Sequence, residues 1–231
     1  VERDYPNLYK RFTALGPLMA KLGNGGKGMA WNTEHEVDLL KRLNGVVTEE
    51  GPTKGLARIE SDIDATEVIL TLAPVTDDAL RHLGGLTELR VLGLASTQCT
   101  GVGFVHLTGL KKLESVNFHF TPLNDDGLRA ITQVPISDRL WFAHTKFTDA
   151  GAETLSKLTE LKRCGIGSTD KASSGEAVSS LVKLPLEELS LLDNQATPAG
   201  LVYASQIGTL RRLDVEHAPT VNDESMRAVG R

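Results

Sequence analysis

Beyond residue 74 the apolar positions recur with a fixed period. Leu89, Leu92 and Leu94 are followed 24 residues later by Leu113, Val116 and Phe118, and 24 later again by Ser137, Leu140 and Phe142. Leu161, Cys164 and Ile166 continue the series, with one extra residue in the spacing to the copy that follows. Leu186, Leu189 and Leu191 come next, and Leu210, Leu213 and Val215 open a last copy that runs to Val221-Asn222-Asp223. Such internal self-similarity is the signature of stacked repeats, in which each copy buries its apolar side only against its neighbours.

Each copy opens with an L-x-x-L-x-L stretch whose alternation predicts a short strand. A Thr or Asn follows: Thr97, Thr121, Thr145, Thr169 and Asn194. These side chains can bond backbone groups left open at a bend, so a ladder along the stack is expected. A D-x-G-L-x-x-L stretch then predicts a helix of about two turns, with Asp77, Asp125 or Asp126, and Asp149 as its N-caps. The pattern resembles the leucine-rich-repeat family over about residues 75–231. The resemblance implies an α/β solenoid, with short parallel strands on a concave face and helices on a convex one.

The first 74 residues show no such period, and a small, mostly helical segment is expected there. Asn7–Phe12 and Pro17–Leu22 read as short helical pieces, Gly23–Gly28 as a glycine-rich loop, and Thr33–Leu43 as an amphipathic helix with Val37, Leu40 and Leu43 on one face. Gly45–Ser61 reads as a loop. The junction is ambiguous. Asp64-Ala65-Thr66-Glu67 is a capping box and predicts a helix over about 64–72. Counting back 24 from Leu92 and Leu94 lands on Val68 and Leu70, which predicts a strand. The local caps favour the helix.

This segment carries a second resemblance. VERDYPNLYKRFTALGPLMAKLGNGGKGMAWNTEHEVDLLKRLN, EGPTKG and IDATEVILTLAP resemble an internal stretch of the alpha subunit of respiratory nitrate reductases, from Val1 to about Pro74. The family's enzymes use molybdenum and iron–sulfur clusters, but the cluster cysteines and the molybdenum-ligating aspartate lie in regions absent here. The resemblance implies shared ancestry, a fusion or a misassembled reading frame, and places no catalytic residue in positions 1–74. Two domains are therefore expected, 1–74 and 75–231.

Charge and composition narrow the function. The net charge of −5 over 231 residues argues against a nucleic-acid partner, and no apolar run is long enough to span a membrane. Gly23-x-Gly25-x-x-Gly28 matches a dinucleotide fingerprint as a bare pattern, but lacks the preceding strand and following helix N-terminus that such a site needs. Cys99 and Cys164 fall at inward-facing repeat positions and read as core thiols, compatible with a cytoplasmic setting. The histidines His35, His82, His106, His119, His144 and His217 do not converge at metal-ligand spacing and read as surface or rim residues. No catalytic residue, metal or cofactor is expected.

The exposed strand positions are the candidate site. The middle outward position reads Gly93, Asn117, Trp141, Gly165, Ser190 and Asp214; two residues on stand Ala95, His119, Ala143, Gly167, Leu192 and Glu216. Phe120 and His144 follow. Arg139 and Arg163 lie to one side, with Glu187, Glu188, Asp214 and Glu216 towards the C-terminal end, giving an expected gradient of charge. Exposed aromatics flanked by polar groups are typical interface anchors. Asn117, His119, Phe120, Arg139, Trp141, His144, Arg163, Asp214 and Glu216 are thus the expected contacts for a protein partner. With no initiator Met and a stop at Gly230-Arg231 inside a repeat, a longer native chain or a homodimer through an uncapped solenoid end is also expected.

Overall fold

The computed structural model describes residues 64–73, 75–193, 195–215 and 221–223, all within one compact unit. The helices expected at Asn7–Phe12, Pro17–Leu22 and Thr33–Leu43, the Gly23–Gly28 loop, His35, Asn194, Glu216 and His217 lie outside the described residues.

Among the described residues, seven strands form one parallel sheet in strict chain order. They are β1 (Glu67–Ile69), β2 (Val91–Gly93), β3 (Ser115–Asn117), β4 (Arg139–Thr145), β5 (Arg163–Ser168), β6 (Glu188–Asp193) and β7 (Arg212–Val215). The 24-residue period becomes the register. Val68 pairs with Leu92, Leu92 with Val116, Val116 with Leu140, Leu140 with Cys164, Cys164 with Leu189, and Leu189 with Leu213. Each strand-to-strand return is one coil of the chain.

The helix expected over 64–72 is absent: Glu67–Ile69 is a strand paired with β2. A capping box stabilises only the first turn of a helix. Pairing with β2 instead buries Val68 and Leu70 to 2% exposure, covering the inward side of the first coil. The sheet therefore begins before Pro74.

The inward columns meet the apolar positions of the return segments, and one core runs the length of the stack. Leu92, Val116, Leu140 and Cys164 are fully buried, as are Leu94, Phe118, Phe142 and Ile166 one step on. Val75, Cys99, Leu123 and Phe147 close the column at the turn. Where the period puts Ser137, the adjacent Ile136 takes the apolar place and is 1% exposed, while Ser137 is half-buried.

Returns are tighter than two α-helical turns. Asp77–Leu83, Val102–Leu107 and Glu176–Leu181 are 3₁₀ helices, and α-helix Asp149–Ala152 continues as 3₁₀ helix Glu153–Lys157; Asp125–Ile131 and Pro198–Ser205 are α-helical. The glycine of D-x-G-L lets neighbouring coils touch. A Cβ on Gly103 would stand 2.4 Å from the Asp77 carbonyl oxygen, and one on Gly127 1.9 Å from that of Thr100.

The capping residues differ from those expected. Asn124, Thr148 and Thr197 are the N-caps, accepting from the amides of Gly127, Gly151 and Gly200. Asp77, Asp125 and Asp149 stand one residue further in and reach to the next coil. Asp77 accepts from the Thr100, Gly101 and Gly103 amides at 2.8, 2.9 and 3.0 Å and from the Thr100 hydroxyl at 2.8 Å. Asp125 accepts from the Thr148 amide and hydroxyl, and Asp149 from Ser174 and the Ala177 amide.

The threonine row is only partly a ladder between coils. Thr97 and Thr121 donate within their own coils, to the carbonyls of Leu94 and Phe118 just past β2 and β3, at 2.7 and 2.8 Å. Thr145 and Thr169 bond across coils, to Gly167 O and Thr145 O. The change falls where the β4–β5 register shifts between Phe142 and Thr145.

Candidate functional site

Strand alternation sends Ser115, Asn117, Arg139, Trp141, Arg163, Glu188, Ser190 and Asp214 to the side of the sheet opposite the core. The parallel register then sets Asn117, Trp141, Gly165, Ser190 and Asp214 in one row, and Ser115, Arg139, Arg163, Glu188 and Arg212 in the next.

Trp141 is half-buried and lies across β5. A Cβ on Gly165 would sit 1.7 Å from its Cε3, so the indole occupies the space a side chain would take. The His119 ring stacks beside it, with centroids 6.2 Å apart and planes 24° apart. Phe120 and His144 form a closer stack, 4.4 Å apart and 10° from parallel. Both have left-handed backbones, with φ of 56° and 55°, as do Ser96 and Asp193 at the equivalent bend. That conformation is uncommon outside glycine. Here the turn that ends each strand sets it, aiming Phe120 and His144 alongside each other from successive coils.

Polar bonds tie down most of this cluster. Asn117 Oδ1 accepts from the His119 amide at 2.9 Å, and His119 Nδ1 accepts from the Ala143 amide at 3.1 Å. Burial, reinforced by the nearby His144, pushes the His119 imidazole down to about 4, so it is neutral at pH 7. His144 Nδ1 lies 3.0 Å from Asp193 Oδ1, and its backbone amide donates to Asp193 Oδ2 at 2.8 Å. Asp193 reaches from β6 over Gly167, whose missing Cβ would stand 2.9 Å from Asp193 Oδ2. Two glycines on β5 thus admit side chains from both flanking strands.

The expected charge gradient is not what the side chains form. Arg163 Nε donates to Asp138 Oδ1 at 3.0 Å, and the same guanidinium contacts Asp138 through Nη2. Asp214 pairs with Arg212 at 3.0 Å, so a cation stands at the end expected to be acidic. Arg139 differs. Its Nε is buried without a hydrogen-bond acceptor, and it makes no ion pair among the described residues. Burial, then the charge of Arg163, lowers its pKa.

Of the nine expected contacts, the structure gathers Asn117, His119, Phe120, Trp141 and His144 in one cluster, with Arg139 and Arg163 beside it. Asp214 lies three strands away from Trp141. Sequence reasoning missed Asp193 as the partner of His144. The two are 49 residues apart, and only the glycine at position 167 hinted that something could cross β5. His82, expected at the surface, is 9% exposed among the return segments; His106 is exposed as expected.

Neither cysteine suits a metal cluster. Both side chains are fully buried; burial pushes the Cys99 thiol up to about 12 and raises that of Cys164 as well. The chain has two cysteines in all, whereas an iron–sulfur cluster takes four cysteine ligands as a rule. The residues present do not fit such a group. No three metal-ligating side chains converge among the described residues, and no described helix is long and apolar enough to cross a membrane.

Comparison with known proteins bears on the first half of the chain. Residues 22–121 match the family model described as nitrate reductase alpha chain, domain V. The respiratory nitrate reductase 1 alpha chain of Escherichia coli (strain K12) is 48% identical over 120 residues, covering 51% of this chain and 9% of that one. The nitrate reductase alpha chain of Bacillus subtilis (strain 168) is 36% identical over 100 residues, covering 41% and 8%. The chain thus spans about a tenth of the length of these relatives. Among solved structures, an internalin from Listeria monocytogenes aligns over 83% of this chain and 72% of its own, at 12% identity and a TM-score of 0.38. Similarity to the nitrate reductase alpha chain therefore extends past Pro74, through β1, β2 and β3, and ends just before the cluster around Trp141 is complete.

Proposed function

We propose that this chain is a non-catalytic binding module, built of leucine-rich-repeat coils, that holds a protein partner on the exposed face of its sheet. The observation that carries this reading is Trp141: a large aromatic left half-exposed on a polar face and held flat over Gly165. Aromatic anchors of this kind dominate interface energies. A stack of coils presents them already ordered, which lowers the entropy lost on binding. The setting is cytoplasmic, in keeping with two buried, unpaired thiols.

The test is a pull-down with the full chain and its Trp141→Ala/Asn117→Ala variant. A partner retained by the wild type should be lost by the variant. Equal retention by both would defeat the reading.

A second reading rests on the similarity of residues 22–121 to nitrate reductase domain V. On it, the chain is a fragment or fusion of a molybdenum oxidoreductase alpha subunit without a catalytic centre of its own. It would then associate with other parts of such an enzyme. Co-purification of the chain with the remaining parts of such an enzyme, and not with an unrelated protein, would favour this reading over the first.

A further inference from the structure

Arg139 and Trp141 are two residues apart on β4 and project from the same side of the sheet, about 6.6 Å apart along the strand. Several polar groups around them are already engaged. Arg163 is held by Asp138, Asp214 by Arg212, His144 by Asp193, and the Asn117 carboxamide oxygen by the His119 amide. The Arg139 and Glu188 side chains are not; the carboxylates of Asp138 and Glu188 act on the Arg139 charge without forming an ion pair with it. Arg139 has no ion-pair partner among the described residues, and a second cation, Arg163, is its neighbour in register. The Arg139 Nε–H is sealed from solvent, so a partner carboxylate meets the guanidinium at its two Nη groups, which can grip it with two parallel hydrogen bonds. One step along the strand, the indole offers an apolar surface that stacks with another aromatic ring.

We propose that the Arg139–Trp141 strip takes an extended segment of a partner protein in which a carboxylate side chain stands two positions from an aromatic one. An extended peptide repeats its side chains on one face at the spacing of β4, so both contacts form from one strand-like segment. This rests on the reading of the sheet face as a protein-binding surface, and specifies the chemistry of what is bound.

The experiment pans the immobilised full chain against a phage library of random nonapeptides, with Trp141→Ala as the counter-selection. The expected result is enrichment of sequences with Asp or Glu two positions from Phe, Tyr or Trp. A fluorescent synthetic peptide of the enriched sequence should then lose at least tenfold in affinity when its acid becomes the amide. The same change should matter less than twofold on Arg139→Gln, with Arg139→Lys intermediate and both variants matching the wild-type circular dichroism. Enriched peptides that need Trp141 but carry no acid, or an acid whose loss costs the same on Arg139→Gln, would overturn this inference and leave face binding standing. No peptide retained better by the wild type than by Trp141→Ala would overturn both.

Discussion

The carboxylate of Asp77 accepts the backbone N–H of Gly103, 26 residues ahead and one coil further along the stack, at 3.0 Å. Bonds to the Gly101 amide and to the Thr100 amide and hydroxyl complete the set. One side chain thereby satisfies amides that the 3₁₀ helix at Val102–Leu107 leaves open at its start. Asp77→Ala should cost about 2 kcal/mol, because four hydrogen bonds to a charged acceptor vanish together. Urea unfolding followed by circular dichroism measures this, and a midpoint equal to wild type would show the bridge to be idle.

Gly165 and Trp141 make a second dependent pair. Gly165→Ala places a methyl group 1.7 Å from the indole Cε3, so the ring must lift from β5. Over-packing of this kind costs about 1–3 kcal/mol. In a Trp31→Phe background, where Trp141 is the sole remaining tryptophan, its emission should move to longer wavelength as the ring meets water. Unchanged emission would mean that the indole does not lie over the glycine.

What the amino-acid order disclosed, and what it hid, follows from the range of the interactions. The row Leu92–Val116–Leu140–Cys164–Leu189–Leu213 was legible because burial repeats with the coil, and every copy reports the same face. At 64–69 a strong local capping signal competed with that period, and cross-strand pairing won. The caps stand one residue before the aspartates: Asn124 and Thr148 cap their own helices, freeing Asp125 and Asp149 for the neighbouring coil. Trp141 and His144 were visible as exposed candidates. Their settings were not, since Asp193 meets His144 across an intervening strand and Arg212 neutralises Asp214.

The thiols offer a probe of core integrity. Cys99 and Cys164 are fully buried, with thiolates disfavoured by burial, so neither should react with an aromatic disulfide reagent at pH 8 in the native state. Both should react once the chain is unfolded in guanidinium. Rapid native labelling of Cys164 would contradict a closed core beneath β5.

Acid should weaken the fold through His119. Its imidazole is held at about 4 in the folded state against 6.5 unperturbed, so between these values the unfolded chain binds the extra proton. Stability therefore rises with pH across that window and is lost as pH falls from about 6.5 towards 4. His119→Asn should flatten this part of the profile in urea titrations at successive pH values. The His119 ring resonance, identified by its loss in His119→Asn, titrating near 6.5 would contradict this.

Every placement on the candidate face depends on neighbouring coils pairing in parallel, one period out of step, since that alone sets Asn117, Trp141 and Gly165 in one row. Methyl-labelled nuclear magnetic resonance tests it directly. Through-space contacts should run from Leu92 to Val116 and from Val116 to Leu140, with amide contacts advancing in the same direction on each pair of strands. Contacts that advance in opposite directions, or that join β3 to a strand other than β2 and β4, would contradict the account.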